Sequence, residues 1–185
     1  SHFSLGLLYS TLADINGALK HYQACQTIKR GVYPQLSLSI GALSLQKGQE
    51  AEAIPYLQNA LNDESTEPEA YTFLGHIYLK QAKYNLALDN LLIAKKLLPG
   101  SKKPVKLLAQ TYKEIGDEKL QCKALIGLGN CLGNLRVPHL GEENSAKRYQ
   151  DALDIAEKIG HKNLQCQALI GLGNARAKHR ERGDS

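Results

Sequence analysis

The stretch that decides the fold is "QCKALIGLGN", residues 121–130, because the chain repeats it at residues 165–174 as "QCQALIGLGN". The two copies differ at one position, where Lys123 corresponds to Gln167. A duplicated segment of ten residues is typical of a repeat protein. We therefore expect both copies to form the same element and to pack in the same way.

Small residues also recur along the first part of the chain with a nearly constant period. Successive positions are 35, 34 and 34 residues apart, and an aromatic residue follows three positions later in three of the four cases. A period in this range is typical of helical solenoids, whose units bury their apolar faces against their neighbours. The four positions are Gly6, Gly41, Gly75 and Ala109.

Within one period the apolar residues follow a helical pattern. Between Ala70 and Tyr78, and again over residues 86–98, they recur three and four positions apart, which places them on one helix face. The pattern predicts two antiparallel helices joined by a short loop, with Gly75 allowing close contact between them. Pro55 lies inside an expected second helix, where it removes a hydrogen bond, so we expect that helix to begin late or to bend.

The segment 68–101 resembles a complete tetratricopeptide repeat (TPR), and residues 1–33 and 34–67 resemble it less completely. The resemblance implies an all-α fold, a right-handed superhelix (α-solenoid) of antiparallel helix pairs with about ten helices. It also implies a concave groove lined by the first helix of each pair. The matching residues in 68–101 are Tyr71, Leu74, Gly75, Tyr78, Ala87, Leu91, Ala94 and Pro99.

The second part of the chain follows a longer repeat. Residues 117–178 resemble the longer TPRs of LGN/Pins-type G-protein signalling modulators, through A-L-x-x-L-G-N followed by A-L-x-I-A-x-x-x-G. We expect the extra residues 136–144 to lengthen a loop. Residues 103–115 match a first helix by their small and aromatic positions, and a second helix by alignment with 147–159. The sequence leaves both assignments open.

These patterns predict four segments. Residues 1–101 form three ordinary repeats, 102–116 a junction helix of ambiguous register, and 117–178 the longer repeats. Residues 179–185 form a basic, disordered tail. The resemblance of Arg182-Gly183-Asp184-Ser185 to an integrin-binding tripeptide is attributed to chance.

Composition is that of a folded protein, with 43% hydrophobic and 22% charged residues. No apolar run approaches the about 20 residues that span a bilayer, and no leader indicates secretion. Methionine is absent even at position 1, so we expect a fragment of a longer chain. The four cysteines form no C-x-x-C pair and are expected to be free thiols in a reducing, cytoplasmic compartment.

Charge is concentrated in the second part of the chain. Residues 1–100 contain 8 Lys and Arg against 8 Asp and Glu, whereas residues 101–185 contain 15 against 10. The excess fits either a solvated surface or contact with an acidic partner.

Catalytic and cofactor chemistry is not indicated. The "GLGNCLG" segment at 127–133 has the wrong spacing for a dinucleotide loop and follows a helical pattern. The histidines are scattered, so no metal site is predicted. Cys122 and Cys166 recur with the repeat and have no activating partner in the sequence. We expect neither an enzyme, nor a cofactor, nor a small-molecule substrate.

The groove predicted by the TPR resemblance supplies the candidate binding residues. Lysines there favour carboxylates and speed association, and asparagines can bind a partner's backbone through donor and acceptor groups. For each lysine a solvated helix position is the alternative. The candidate residues are His76, Lys80, Lys106, Gln110, Lys113, Lys123, Asn130, Asn134, Asn174 and Lys178.

These residues predict a non-catalytic scaffold that binds an extended, acidic segment of another protein. The alternative is a regulatory or substrate-recruiting arm of a larger enzyme or complex. Nucleic acid is not expected as a partner, because no aromatic residues interleave with the basic tail. A clamp for chaperone carboxylates is disfavoured, since Gln110, Gly127 and Gly171 replace its Asn and Arg residues. Membrane insertion is not expected.

Overall fold

A computed structural model describes residues 2–11, 14–29, 33–133 and 138–183. All regular elements in these ranges are α-helices, so the predicted all-α fold with about ten helices is confirmed. The helices are α1 (His2–Thr11), α2 (Ile15–Lys29), α3 (Pro34–Gln46), α4 (Glu50–Ala60), α5 (Glu67–Lys80), α6 (Tyr84–Leu97), α7 (Lys102–Ile115), α8 (Glu118–Gly133), α9 (Pro138–Lys158) and α10 (Lys162–Gly183).

The helices form two compact units, residues 1–97 (unit 1) and 98–185 (unit 2). In unit 1 the closest neighbours are α1 with α2, α3 with α4, and α5 with α6. The first helices α3 and α5 also contact each other. Unit 1 is therefore built from the helix pairs that the sequence predicts.

Glycines in unit 1 lie where two helices approach closely. A Cβ atom at Gly41 would lie 2.7 Å from the Leu57 side chain, and one at Gly75 would lie 2.6 Å from Leu91. Both leucines are fully buried. The expected role of Gly75 in close helix packing is confirmed.

Helix α4 differs from the expectation raised by Pro55. The helix begins at Glu50 and contains the proline in its interior, so it does not begin late. Ala53, Leu57 and Ala60 are fully buried on one side of α4. This packing compensates for the hydrogen bond that the proline cannot donate.

The turns inside the helix pairs share one backbone feature. Gly48, Ala82 and Gly116 have positive φ values of 82°, 55° and 82°, and they are spaced 34 residues apart. Gly116 ends α7 in the left-handed conformation. Its N–H donates to the Lys113 carbonyl, and the N–H of Asp117 donates to the Tyr112 carbonyl. The turn after α7 thus continues the period of unit 1, which favours α7 as a first helix.

Helix α8 has close neighbours on two sides, because it packs against both α7 and α9. A Cβ atom at Gly129 of α8 would lie 2.7 Å from the Tyr149 ring of α9. This contact repeats those that the glycines of unit 1 make with the following helix. The glycine and its partner are 20 residues apart in the sequence here, compared with 16 in unit 1. The turn between α7 and α8 makes α7 a first helix and α8 its second helix. The contact of Gly129 with α9 makes α8 a first helix, which leaves α7 as the second helix of the preceding repeat. Both assignments of α7 therefore have a structural basis.

The expected long loop at residues 136–144 is wrong for residues 138–144, and residues 136–137 lie outside the described residues. Helix α9 begins at Pro138 and has 21 residues, compared with 14 in α7. Proline is favoured in the first turn of a helix, where its missing N–H has no intrahelical acceptor. The additional residues therefore extend the helix.

The expected disordered tail is wrong for residues 179–183, because α10 continues to Gly183. The sequence from Ala175 to Arg182 contains no proline or glycine, and apart from His179 it consists of alanine, arginine, lysine and glutamate. These are good helix formers, so the helix continues without a break. Residues 184–185 lie outside the described residues.

Candidate functional site

Unit 1 contains an open cavity of about 560 Å³ between its first helices. His76 and Lys80 of α5 line it, together with Phe73 of the same helix and side chains of α3. Two of the predicted groove residues therefore lie in one cavity, on the first-helix side of unit 1.

The positive charge of Lys80 is already paired in this cavity. Its Nζ lies 2.8 Å from Oε1 of Glu50, and the Gln81 amide donates to Oε2 of the same carboxylate over 3.3 Å. The hydrogen bond from Lys80 lowers the pKa of Glu50. Burial, and then the charge of Lys80, lower the pKa of His76. With Glu69 also in the lining, the cavity has no excess of positive charge.

Unit 2 contains a second open cavity, of about 340 Å³. Lys106, Gln110 and Lys113 line it from α7, since intervals of four and three residues place them on one helix face. Arg148 and Asp151 line it from α9. The cavity also has apolar lining from Leu125, Leu128 and Ile155.

The cavity of unit 2 carries excess positive charge. Arg148 donates to the Asp151 carboxylate at 2.9 Å, so these two charges compensate each other. Lys106 and Lys113 are exposed, and neither forms an ion pair within the described part of the chain. Two positive charges are thus available to an anionic ligand.

Lys123 and Asn130 lie away from this cavity. Gln121, Leu125 and Leu128 line it from α8, and a residue two positions along a helix from these faces the opposite side. Asn130 is exposed, and its Oδ1 accepts a hydrogen bond of 2.7 Å from the Tyr149 hydroxyl. The predicted groove residues of unit 2 therefore divide between two faces.

The remaining predicted residues lie at the end of the chain or outside the described residues. Asn174 of α10 is exposed and corresponds to Asn130 in the first copy. Asn134 lies outside the described residues. Lys178 belongs to α10, but its side chain is not described.

Sequence reasoning missed the contribution of α9 to the cavity of unit 2. Arg148, Asp151 and Ile155 line it at intervals of three and four residues, so the sequence already places them on one face of a helix. Alignment within the repeats makes residues 147–159 a second helix, and the TPR resemblance places only first helices along the groove.

Cys122 is a buried packing group. The Cys122 thiol donates to the Ala152 carbonyl over 3.2 Å, and burial raises the pKa of this thiol. A thiol in this state is a poor nucleophile. Within the described residues, no three His, Cys, Asp or Glu side chains are grouped to hold a metal ion. The described helices also include none that is long and apolar enough to cross a membrane.

Residues 1–31 match the family model of the tetratricopeptide repeat. A crystal structure of MamA is similar with a TM-score of 0.70 and 20% identity, over 98% of each chain. MamA from Desulfovibrio magneticus RS-1 is similar with a TM-score of 0.69 and 16% identity, over 97% of this chain and 94% of that one.

PilW, a widely conserved type IV pilus biogenesis factor, is similar with a TM-score of 0.68 and 19% identity, over 90% of this chain and 73% of that one. No curated protein sequence matches the chain. The repeat match and the helix pairs define the class: the fold is that of a TPR-type helical repeat protein.

Proposed function

We propose that the protein is a non-catalytic scaffold that binds an extended, acidic segment of another protein in the cavity of unit 2. One observation carries the proposal: Lys106, Gln110 and Lys113 line a single open cavity in which Arg148 and Asp151 pair with each other, while the two lysines form no ion pair within the described residues. Open helical clefts of this kind suit a peptide better than a small substrate, which enclosed pockets bury more completely.

The spacing of the two lysines specifies the ligand further. They lie seven residues apart on α7, which corresponds to about 10 Å along the helix axis. An extended chain covers this distance in about three residues. The preferred ligand therefore carries two carboxylates three residues apart, with the Gln110 amide bonding to the backbone between them.

The other predicted groove residues form a weaker part of the proposal. His76 and Lys80 line the cavity of unit 1, where charges are balanced, so this cavity favours a neutral or mixed segment. Lys123, Asn130, Asn174 and Lys178 belong to helices α8 and α10, and Asn134 follows α8 in the sequence. We keep them as binding candidates for separate testing.

The cellular setting is also proposed. The four cysteines are free thiols, which is common in reducing compartments, and supports a cytoplasmic location. The likeness of residues 117–178 to LGN/Pins-type repeats favours a signalling or polarity adaptor as the kind of scaffold.

A peptide-display selection on the purified chain tests the proposal directly. We expect the enriched peptides to carry Asp or Glu pairs three residues apart. The Lys106→Glu/Lys113→Glu double variant should bind them at least about tenfold more weakly, because two attractive charge contacts become repulsive. Raising the salt concentration should weaken wild-type binding, since the contacts are exposed.

The matched control is the Lys95→Glu/Lys96→Glu double variant, which makes the same charge change on exposed positions of α6 in unit 1. It should bind the selected peptides as the wild type does. Selected peptides without acidic enrichment, or equal losses in both double variants, would overturn the assignment of the cavity.

A further inference from the structure

Four side chains of α5 follow the cavity of unit 1 along almost the whole length of the helix. They line it at intervals of four, three and four residues, which places them on one helix face. The first and the last lie about 16 Å apart along the helix axis. In chain order, the four side chains are those of Glu69, Phe73, His76 and Lys80. The cavity is therefore a groove long enough for several residues of an extended chain.

The part of this groove around Phe73 is apolar. Leu38, Ala42 and Leu45 line it from α3, which contacts α5. Phe73 and Leu38 are only partly buried, and both pack against a core cluster that includes Leu45. An apolar side chain placed here would remove their remaining exposed surface from water, which the hydrophobic effect favours.

The charges at the two ends of the groove differ. Near the C-terminal end of α5, Lys80 is paired with Glu50, with 2.8 Å between Nζ and Oε1. Burial, and then the charge of Lys80, lower the pKa of His76, so this imidazole is neutral at pH 7. At the N-terminal end Glu69 is exposed, and it forms no ion pair with any other residue that the structure describes. The charge that the groove leaves uncompensated is therefore negative.

We propose that the cavity of unit 1 is a second binding site, for an extended segment of another protein that carries Lys or Arg two residues away from an apolar residue. Glu69 and Phe73 lie about 6 Å apart along the axis of α5, and an extended chain covers this distance in two residues. Side chains two positions apart point to the same side of an extended chain. The cation therefore pairs with Glu69 while the apolar side chain lies against Phe73.

The two cavities then prefer segments of opposite charge. An acidic segment of the kind proposed for the cavity of unit 2 would bring a carboxylate toward Glu69, and like charges repel. The groove is open, so it suits an extended chain better than a small molecule, which enclosed pockets bury more completely. This site adds a second class of segment to the proposed scaffold function, and the argument for it uses side chains of unit 1 alone.

A pair of synthetic peptides tests the site. The Lys peptide is acetyl-Thr-Lys-Thr-Leu-Thr-Thr-amide, whose threonines favour an extended backbone, and the Glu peptide has Glu in place of Lys. Each is titrated into the isotope-labelled full chain at low salt, and amide chemical shifts are followed by NMR. We expect the Lys peptide to shift the Phe73 and His76 signals saturably, with a Kd below about 1 mM. The Glu peptide should bind at least about fivefold more weakly, because its carboxylate faces Glu69.

Charge reversal on the chain supplies the second part of the test. Glu69→Lys should bind the Lys peptide at least about fivefold more weakly than the wild type does, and it should prefer the Glu peptide. The matched control is Glu52→Lys, which changes an exposed glutamate at the same position in the first turn of α4. Glu52 does not line the cavity, so this variant should bind both peptides as the wild type does. Circular dichroism verifies that both variants retain their helices.

The apolar half of the site is tested on the peptide. Serine in place of the leucine should weaken binding of the Lys peptide at least about fivefold, because the apolar contact with Phe73 is lost. Equal binding of the leucine and serine peptides would show that charge alone holds the segment, and the proposed site would then be wrong.

Other results would also overturn the proposal. They are the absence of saturable shifts at Phe73 and His76, equal binding of the Lys and Glu peptides, and equal losses in Glu69→Lys and Glu52→Lys. A dimer of the chain in sedimentation experiments that Glu69→Lys dissociates would assign the groove to a second copy instead. None of these results changes what is expected of the lysine variants in the cavity of unit 2, so the two proposals fail independently.

Discussion

Helices α8 and α10 contain almost the same ten residues, but these residues differ in burial between the two helices. The first copy lies between α7 and α9, and its apolar residues on both sides are buried. The second copy packs on α9 along Leu164, Ala168 and Leu172, and exposes the opposite side. The comparison shows that a helix in a repeat array has two packing faces, and that the neighbours decide which of them belongs to the core.

The difference has a physical basis in the array. Each helix buries one stripe against its predecessor and another against its successor. Both stripes are present in α10, but only the first has a partner within the described residues. Equivalent side chains of α8 and α10 should therefore differ in reactivity and in their contribution to stability.

The largest expected difference concerns Cys122 and Cys166. Cys122 is fully buried, donates its hydrogen bond to Ala152 and has a pKa raised by burial, whereas Cys166 is exposed. Alkylation of Cys122 requires opening of the core, so we expect Cys166 to react at least about a thousandfold faster at neutral pH. Timed alkylation followed by peptide mass spectrometry measures both rates.

Raising the pH should increase both rates, because each reaction proceeds through the thiolate. Denaturant should bring the two rates together, since burial causes the difference. If Cys122 reacted as fast as Cys166 in the native chain, the two copies would not differ in burial and the comparison would fail.

The next effect concerns the isoleucines at matching positions. Ile126 is 9% exposed and Ile170 is 64% exposed. Ile126→Ala should lower the free energy of unfolding by about 3 kcal/mol, because it leaves a cavity in the core. Ile170→Ala should change it by less than about 0.5 kcal/mol. Urea denaturation of both variants measures the difference, and similar losses would show that α10 is covered in solution.

Much of the fold was predictable from the sequence, because the packing of neighbouring helices depends on the spacing of small and apolar residues over short distances along the chain. The spacing of Gly41 and Gly75 predicted paired helices with close contacts, which their positions opposite Leu57 and Leu91 confirm. Helix boundaries were predicted less well. Pro138 looked like part of a loop but begins a helix, since the first helical turn accommodates proline.

The candidate site was predicted only in part, because a linear pattern does not specify which helix faces meet. The TPR resemblance proposed Lys106, Gln110 and Lys113 as groove residues, and all three line one cavity. Arg148 reaches the same cavity from a helix 42 positions further along the chain, and no local pattern relates the two. The partner of Lys80, Glu50, lies on a different helix for the same reason.

The third effect concerns the matched glycines. A Cβ atom at Gly129 would lie 2.7 Å from the Tyr149 ring, whereas one at Gly173 would meet nothing. Gly129→Ala should destabilise the chain by about 1 kcal/mol, because overpacking exceeds the gain in helix propensity. Gly173→Ala should stabilise it by about 0.8 kcal/mol, since only the propensity gain applies. Thermal denaturation of both variants gives the signs, and equal signs would contradict the open space beside α10.

The smallest expected effect concerns the hydroxyl of Tyr149, which forms a hydrogen bond with Asn130 of the first copy. Tyr149→Phe removes the hydrogen bond to Asn130 and should lower the free energy of unfolding by about 1 kcal/mol. Asn130→Ala should cost about the same, and the double variant little more than either single one, since both remove one bond. Additive losses in urea denaturation would contradict that contact.

The pH dependence of this tyrosine sharpens the same comparison. Burial, and then the neighbouring Cys131, raise the pKa of Tyr149 above its ordinary value of 10.0. A raised pKa in the folded state means that the neutral ring contributes its stability below about pH 10, and that this stability is lost as the pH rises toward the folded-state pKa. The loss of wild-type stability above pH 10 should therefore be smaller in Tyr149→Phe. Tyr22 and Tyr112 also have raised pKa values, and they contribute equally to the pH dependence of the wild type and of Tyr149→Phe. If the free energy of unfolding depended on pH above pH 10 in the same way in both proteins, the Tyr149 ring would lie in solvent.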